Sequence, residues 1–558
     1  MFLVGSDSPS TRNAIEAVCG LPGVEPAAVV LDTAIAGASA RFKNLRRNIR
    51  RDGYAYVIRR ALNALASATE AAMDRASHRA DALAIVKRAF PGSSFTLRDL
   101  CAKVGMPLIE AGNLNGKAAV DELQRVNADL GIVLGTRILK RPAFSAPRLG
   151  SVNLHKGSVP EYRGMPPGFW ELYNGERLAG VTVHYVDDSL DTGEVVAAGQ
   201  VNILARDTPD SLLVKLHQAG TETLVSAVKA IQAGTAKPAK QAGGTRKPYS
   251  FPTYKQVTEL RQRLPHWNRP SPIGTICKNL YVLCVYHSGL FGLVKWWHSL
   301  KKCRAAIILY HRINDVSRDP LTAGIEEFAA QMALVARWYK PVATQELVNR
   351  LRRGEPVPGT SVAIHFDDCY RDVFSYALPV LRELNIPAAA FVNSAFVGTG
   401  RAFLHDVAKS PFRFDNFTVE DLRAMLASGF EIGAHTANHV DLGSCSEEEA
   451  RKEIRECVEE LERMTERRIT LFSYPFGKER NIRRELVASV SEAGCECMFS
   501  AFGGFVGART DPFDIPRFGV SGMHHPLYVA LEIEGLAPNL IRQRVHKWLV
   551  RGRATGAR

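Results

Sequence analysis

The chain has 558 residues, 46% of them hydrophobic and 23% charged, which excludes both a disordered polymer and a domain built on one core. Two large domains and a connector fit this length. A formal charge of +14 selects no partner until it is located, and the ten cysteines, with Cys495-Glu-Cys497 as the one close pair, show no disulfide framework.

The opening Met1-Phe-Leu-Val-Gly-Ser reads as a first strand, not as a charged lead into a secretory apolar run, so reduced thiols and a cytoplasmic location are expected. Across residues 1–245, strand-like runs at Phe2–Gly5, Ala27–Leu31, Leu130–Gly135 and Gly150–Leu154 alternate with helical patterns such as Ser211–Ala233. That alternation predicts an open α/β sheet with ligands at the carboxyl ends of its strands. A basic helical insertion spans residues 41–89 and begins with Arg41, Lys43, Arg46, Arg47, Arg50, Arg51, Arg59 and Arg60 against the single acid Asp52. Such a run is either a solvated helix face or a site for an anionic membrane, a phosphate or RNA.

At the end of one strand stand Asn153 and His155, followed by Gly180-Val-Thr-Val-His184 and by Asp188-Ser-Leu-Asp191-Thr-Gly193. Acyl transfer to an amine needs an oxyanion donor, a proton acceptor and a group that orients the acceptor. Asn153, His155 and Asp191 can take these roles in that order, because an imidazole titrates near neutrality and a carboxylate raises its basicity.

With Ser158-Val-Pro160, Tyr162-Arg163-Gly164-Met-Pro166 and Trp170 between them, these motifs resemble the formyltransferase superfamily over roughly the first 245 residues. The family includes methionyl-tRNA, glycinamide ribonucleotide and sugar N-formyltransferases. The resemblance implies a Rossmann-like domain and one-carbon transfer from 10-formyltetrahydrofolate to a primary amine, with catalytic Asn153, His155 and Asp191. It also implies a pterin against Leu134, Gly135, Arg137, Ile138 and Leu139. The methionyl-tRNA enzymes carry a small RNA-contacting domain after the catalytic one, and nothing after Lys247 looks like it. The expected acceptor is therefore an amino sugar, nucleotide- or lipid-linked, and not a nucleic acid.

Residues 246–303 form a connector, with the Pro-containing stretch Pro265–Pro272 and a nearly uncharged run from Leu280 to Val294 that ends at Lys295-Trp296-Trp297-His298. This run falls short of the about 20 apolar residues that span a bilayer. It reads either as an interfacial helix or as a helix buried between domains, and the first reading makes the protein peripheral at the inner face of the plasma membrane.

A second alternating domain, residues 304–525, carries strands at Ala305–Tyr310, Ser361–Phe366, Ala388–Val392, Phe430–Ala434 and Leu471–Tyr474, with helices such as Ser446–Thr465. A distorted (β/α) barrel is expected, with catalytic groups at its strand ends. Hydrolysis of an amide needs an activated water, which a divalent metal supplies by lowering the water's pKa. His435 and His439 are spaced to face one ion, a carboxylate from Asp367-Asp368 would complete the set, and the other carboxylate would deprotonate the water. A basic tail, residues 526–558, closes the chain with Arg542, Arg544, Lys547, Arg551, Arg553 and Arg558.

The order Phe366-Asp367-Asp368, His435-Thr-Ala-Asn-His439, Tyr474-Pro475-Phe476-Gly477 resembles the polysaccharide deacetylases. Carried over, Asp367 is the general base, and Asp368, His435 and His439 bind the metal, with zinc expected first. Leu309-Tyr310-His311-Arg312 resembles the group with a rearranged motif order, which makes His311 the general acid. Cys369 replaces the usual glycine, where a required positive φ would be strained. The usual arginine is missing before Pro475, and Arg517 is the candidate to pair with Asp367 in its place.

Together the two sets imply a bifunctional enzyme of cell-surface glycan or lipid-linked amino-sugar biosynthesis that formylates an amine and removes an N-acyl group. The alternatives are a methionyl-tRNA-type formyltransferase fused to a deacetylase and a glycan-binding scaffold with decayed sites.

Overall fold

The computed structural model describes residues 1–34, 38–241, 247–267, 270–301, 304–317, 319–520 and 524–538. The chain divides into two compact units, one of residues 1–60 and 92–269, the other of residues 61–91 and 270 onward.

The first unit is built on seven strands: β1 (Phe2–Val4), β2 (Val29–Asp32), β3 (Leu108–Ala111), β4 (Gly131–Leu134), β5 (Ser151–His155), β6 (Leu178–Tyr185) and β7 (Val195–Asn202). They lie in the order β3-β2-β1-β4-β5-β6-β7, parallel through β5, with β6 and β7 added antiparallel. The continuous apolar runs of β1 and β4 follow from burial on both faces. Phe2 and Val4 pack with Ile15, Leu100 and Leu224 on one side, and Leu3 packs with Leu123, Val133 and Phe144 on the other. Chain order reverses between β1 and β4, where an open α/β sheet leaves a crevice at its carboxyl edge. There Gly5 meets the loop after β4 so closely that a Cβ on it would lie 2.0 Å from the Gly135 carbonyl oxygen.

The second unit holds a curled, mostly parallel nine-stranded sheet. Its path runs through Cys497–Phe499, Leu471–Ser473, Glu431–Ala434, Ala388–Val392, Ser361–Asp367, Arg304–Tyr310 and Val506–Gly507, and only the last is antiparallel to its neighbour. Two short strands, Lys340–Pro341 and Phe518–Gly519, pair with Ser361–Asp367 and Arg304–Tyr310 respectively.

Residues 61–91 of the basic insertion cluster with this second unit. The Asn279 amide donates to Thr69 Oγ1 at 3.0 Å in a buried bond, Arg337 pairs with Asp81 at 2.7 Å, and His525 Nε2 lies 3.1 Å from Asp74.

The apolar run of the connector is not one helix. Gly289, at φ 81°, breaks it into Pro272–His287 and Leu290–Ser299. Among the described residues no helix is long and apolar enough to cross a membrane. The expected tail starts later than residue 526, because Pro526–Ile533 is an apolar helix buried at every position and capped by His525. The basic residues Arg542 to Arg558 lie outside the described residues.

Candidate active sites

In the first unit the pairing of β5 with β6 sets Asn153 opposite His184 and leaves His155 as the last residue of β5. The loop after β6 returns Asp191, at φ 54°, to the same point. Asp191 Oδ2 lies 3.5 Å from His155 Nδ1 and accepts from the Gly164 N–H at 3.2 Å. Its Oδ1 lies 3.5 Å from the Asn153 amide nitrogen and 3.6 Å from His184 Nε2.

Hydrogen bonding assigns the tautomers. Nε2 of His155 faces the Tyr162 carbonyl at 2.8 Å and must carry hydrogen, so a further proton is taken at Nδ1, beside Asp191. His184 Nδ1 faces the Tyr185 carbonyl at 2.8 Å, and its Nε2 can accept from the Asn153 amide at 3.3 Å. Burial lowers the His155 pKa despite the opposing pull of Asp191 and Tyr162, so the ring is neutral at pH 7. Burial pushes the Asp191 carboxyl up, but His184, His155 and the Gly164 N–H outweigh it and hold the carboxyl below its ordinary value.

A cleft of about 100 Å³ opens beside Asn153, His184 and Asp191 and is walled by Val133, Arg137, Ile138 and Leu139. Arg137 is fixed by Asp32, at 2.8 Å for one of its contacts. The Asn115 side chain donates to the Ile138 carbonyl at 2.9 Å and accepts from the Lys140 N–H at 2.7 Å, which pins the loop. Leu134 is buried in the core, and Gly135, at φ 62°, turns the chain out of β4. Thr136, Asp187 and Ser189 also line this cleft, so apolar and polar groups share its wall.

In the second unit Asp367 ends its strand and Asp368 follows at φ 73°. The left-handed conformation falls on Asp368 and not on Cys369, which is a buried core residue free of that strain. His435 follows Glu431–Ala434, and a loop with positive φ at Thr436 and His439 brings both rings together, 5.3 Å apart. Nε2 of His439 lies 3.2 Å and Nε2 of His435 3.7 Å from Asp368 Oδ1, while His435 Nδ1 donates to the Ser473 carbonyl at 2.8 Å.

The ligand atoms of Asp368, His435 and His439 all lie within 4.8 Å of one another. Both Asp368 oxygens are buried and neither accepts a well-aligned hydrogen bond. An ionised carboxylate buried without donors is costly, and a cation among these three residues would satisfy it. The donor set therefore fits a divalent metal such as zinc.

Arg517 is fully buried and grips Asp367 with two bonds of 2.7 Å, and it also donates to Ser473 Oγ and the Ser500 carbonyl at 2.7 Å. Burial alone would raise the Asp367 carboxyl, but Arg517 and His435 hold it below the usual range. Burial also opposes the Asp368 charge, and His439, His311 and His405 together outweigh it. Burial lowers His435 to about 4, which keeps it a neutral ligand. His311 follows Arg304–Tyr310, the strand that pairs with Ser361–Asp367 and so ends beside the two carboxylates. Pro475 is buried, and Gly477 takes φ 54° where a Cβ would lie 2.6 Å from Ala501 N. Their turn presents Phe476 edge-on to His439, with ring centres 4.7 Å apart.

Two histidines at these sites stood outside the predicted sets. His184 was visible as part of a motif, but only strand pairing sets it on Asn153 and Asp191. His405 comes from the short helix Leu404–Lys409, which carries no motif of its own. Its Nε2 lies 2.9 Å from the Tyr370 hydroxyl and 3.8 Å from Asp368 Oδ2. Since the Tyr370 hydroxyl donates to Asp406 at 2.6 Å, His405 Nε2 must carry hydrogen and is no ligand in this arrangement.

Residues 62–228 match the formyl transferase family and residues 354–498 the polysaccharide deacetylase family. A methionyl-tRNA formyltransferase from Flavobacterium johnsoniae is 33% identical over 129 residues, 23% of this chain and 41% of that protein. The chain spans about half the length of the curated relatives it matches. Among solved structures, the Streptococcus pyogenes deacetylase PplD, in complex with acetate, is 18% identical, with a TM-score of 0.37, over 42% of this chain and 99% of that one. An N-formyltransferase from Helicobacter canadensis, in complex with folinic acid and dTDP-3-aminofucose, is 14% identical, with a TM-score of 0.30, over 48% of this chain and 83% of that one.

Proposed function

We propose, for a chain that joins a formyl transferase domain to a polysaccharide deacetylase domain, that one site moves a formyl group from 10-formyltetrahydrofolate to an amino sugar and the other hydrolyses an N-acyl group from a sugar amide. The observation that carries this reading is the chemical difference between two aspartates, the partly buried Asp191 flanked by imidazoles and amides and the buried Asp368 left for a cation. The acceptor is a nucleotide- or lipid-linked amino sugar of cell-surface glycan synthesis.

At the first site His155 takes the proton shed as the amine nitrogen bonds to the formyl carbon, and Asp191 stabilises the imidazolium through Nδ1. Asn153 donates to the formyl oxygen as it gains charge. The bond from carbon to N10 of the donor then breaks, and that nitrogen receives the proton held by His155.

A divalent metal bound at the second site supplies a water of lowered pKa. Asp368, His435 and His439 would hold it, Asp367, kept ionised by Arg517, would accept a proton from the attacking water, and His311 would give one to the departing amine. Mass spectrometry tests the reading: amino sugars incubated with the donor should gain a formyl group, and acetylated or formylated sugars with metal should lose their acyl group. Absence of both products across a broad sugar pool would contradict it.

A second reading, an RNA-linked amine as acceptor, is favoured by the methionyl-tRNA formyltransferase relatives and by the helix Ala38–Asp52, which exposes Lys43, Arg46, Arg47 and Arg50. Formylation of charged initiator tRNA in preference to free amino sugars would establish it.

A further inference from the structure

The helices Pro272–His287 and Leu290–Ser299 bury one face each, through Ile276, Asn279, Val282 and Val285 on the first and Phe291 on the second. Their outward faces are apolar as well. On the first, Ile273, Cys277, Leu280 and Cys284 recur at helical spacing and are exposed, with Ile273 at 57%. On the second and just beyond it, Leu290, Leu293, Trp297 and Leu300 form a stripe beside Trp296, and both tryptophans are 57% exposed. A helix apolar on both faces is normally enclosed or in contact with lipid, and an exposed apolar patch of this kind marks an interaction surface.

Charge selects the occupant. From Leu260 to Asn314 the sequence holds no aspartate or glutamate, while Lys278, Lys295, Lys301 and Arg304 fall within it. The nearby carboxylates come from the helix that begins at Pro526: Glu534 lies 2.5 Å from His298 and 3.8 Å from Arg304, and Glu532 acts on Lys278. Lys301 is exposed. An exposed tryptophan pair edged by lysines suits the boundary between acyl chains and anionic headgroups, where the indole N–H stays wet and the ring does not. An aromatic groove of about 750 Å³, lined by Tyr286, Phe291, Lys295, Trp296 and Trp338, shares Trp296 with this face. Neither helix can span a bilayer.

We propose that the helix pair of residues 272–300 docks the protein on an anionic lipid surface, lying in the headgroup layer with Leu293, Trp296, Trp297 and Leu300 inserted. Docking is independent of which sugar the two sites take.

Full-length protein should co-sediment with vesicles of mixed phosphatidylglycerol and phosphatidylcholine, less with phosphatidylcholine alone, and less again at high salt. Binding should shift tryptophan emission to shorter wavelength. The double change Trp296→Ser and Trp297→Ser should weaken vesicle binding by about tenfold or more, because it removes two interfacial anchors. Leu293→Ser with Leu300→Ser should act in the same direction without touching an aromatic ring. Both activities on water-soluble sugars should persist in these variants, which separates loss of docking from failure of the proposed chemistry. Undiminished vesicle binding in both variants overturns the proposal. So does self-association of the unaltered protein that the serine changes abolish without any vesicle binding, since the face would then meet a second copy. Binding lost on removal of residues 539–558 but kept in the serine variants overturns it too.

Discussion

Asp191, partly buried, and Asp368, buried, are carboxylates that both face histidines, yet their surroundings differ. Asp191 accepts the Gly164 N–H, and its oxygens lie close to the Asn153 amide and to the rings of His155 and His184. Its charge is met by the Gly164 N–H and the Asn153 amide, as suits a residue that orients a base. Asp368 has two oxygens without an aligned donor and two imidazole Nε2 atoms pointing at one of them. Satisfied and unsatisfied burial thus separate a carboxylate that works through a histidine from one that waits for a cation. Asp367, beside it, is met by a buried guanidinium and can remain an anionic base.

The contrast breaks most sharply by mutation. Asp368→Ala should abolish metal binding and hydrolysis while formyl transfer persists, as read by metal analysis of the purified protein and by both assays. His155→Ala should do the reverse, with formyl transfer falling by about 10²- to 10⁴-fold, the usual worth of general base catalysis. Loss of both activities from either change would contradict independent sites. Arg517→Leu should leave Asp367 buried without its partner and destabilise the second unit by about 3–5 kcal/mol, measured by denaturant unfolding. Equal stability would show that Arg517 is dispensable to Asp367.

Two milder effects bear on the second unit as a whole. A fragment of residues 270–538 should melt below the same fragment supplied with residues 61–91, because it loses Thr69, Asp74 and Asp81 as partners of Asn279, His525 and Arg337. Acidification should act more gradually. Burial lowers His524 and His525 to about 4 from an ordinary 6.5. The unfolded chain therefore binds protons first, so stability is full above pH 6.5 and is lost as pH falls toward about 4. For His525 burial is the largest cause and outweighs the opposing pull of Asp74. Unfolding midpoints across this range test the sign.

How far the sequence foretold this follows from the range of each interaction. The alternation of apolar runs and helices was sufficient for two α/β units, and the spacing of Asn153 and His155 along one strand placed them on one face. Asp191 and His439 depend on loops that take positive φ, which family motifs signal and composition does not. Arg517 could be named as a partner of Asp367 because a missing arginine left a charge to be met, but its 2.7 Å bonds needed the folded chain. His405 carried no such clue. The grouping of residues 61–91 with the second unit was also hidden, since an amphipathic helix declares that it has an inner face without naming what covers it. Gly289 was legible as a breaker only in hindsight of its φ of 81°.

The most direct test is metal titration of the full-length protein against both activities. The account predicts about one divalent ion per chain, lost in Asp368→Ala, with chelation ending deacylation and leaving formyl transfer unchanged. Binding of no ion, or formyl transfer that falls and returns with the metal alongside hydrolysis, would contradict it.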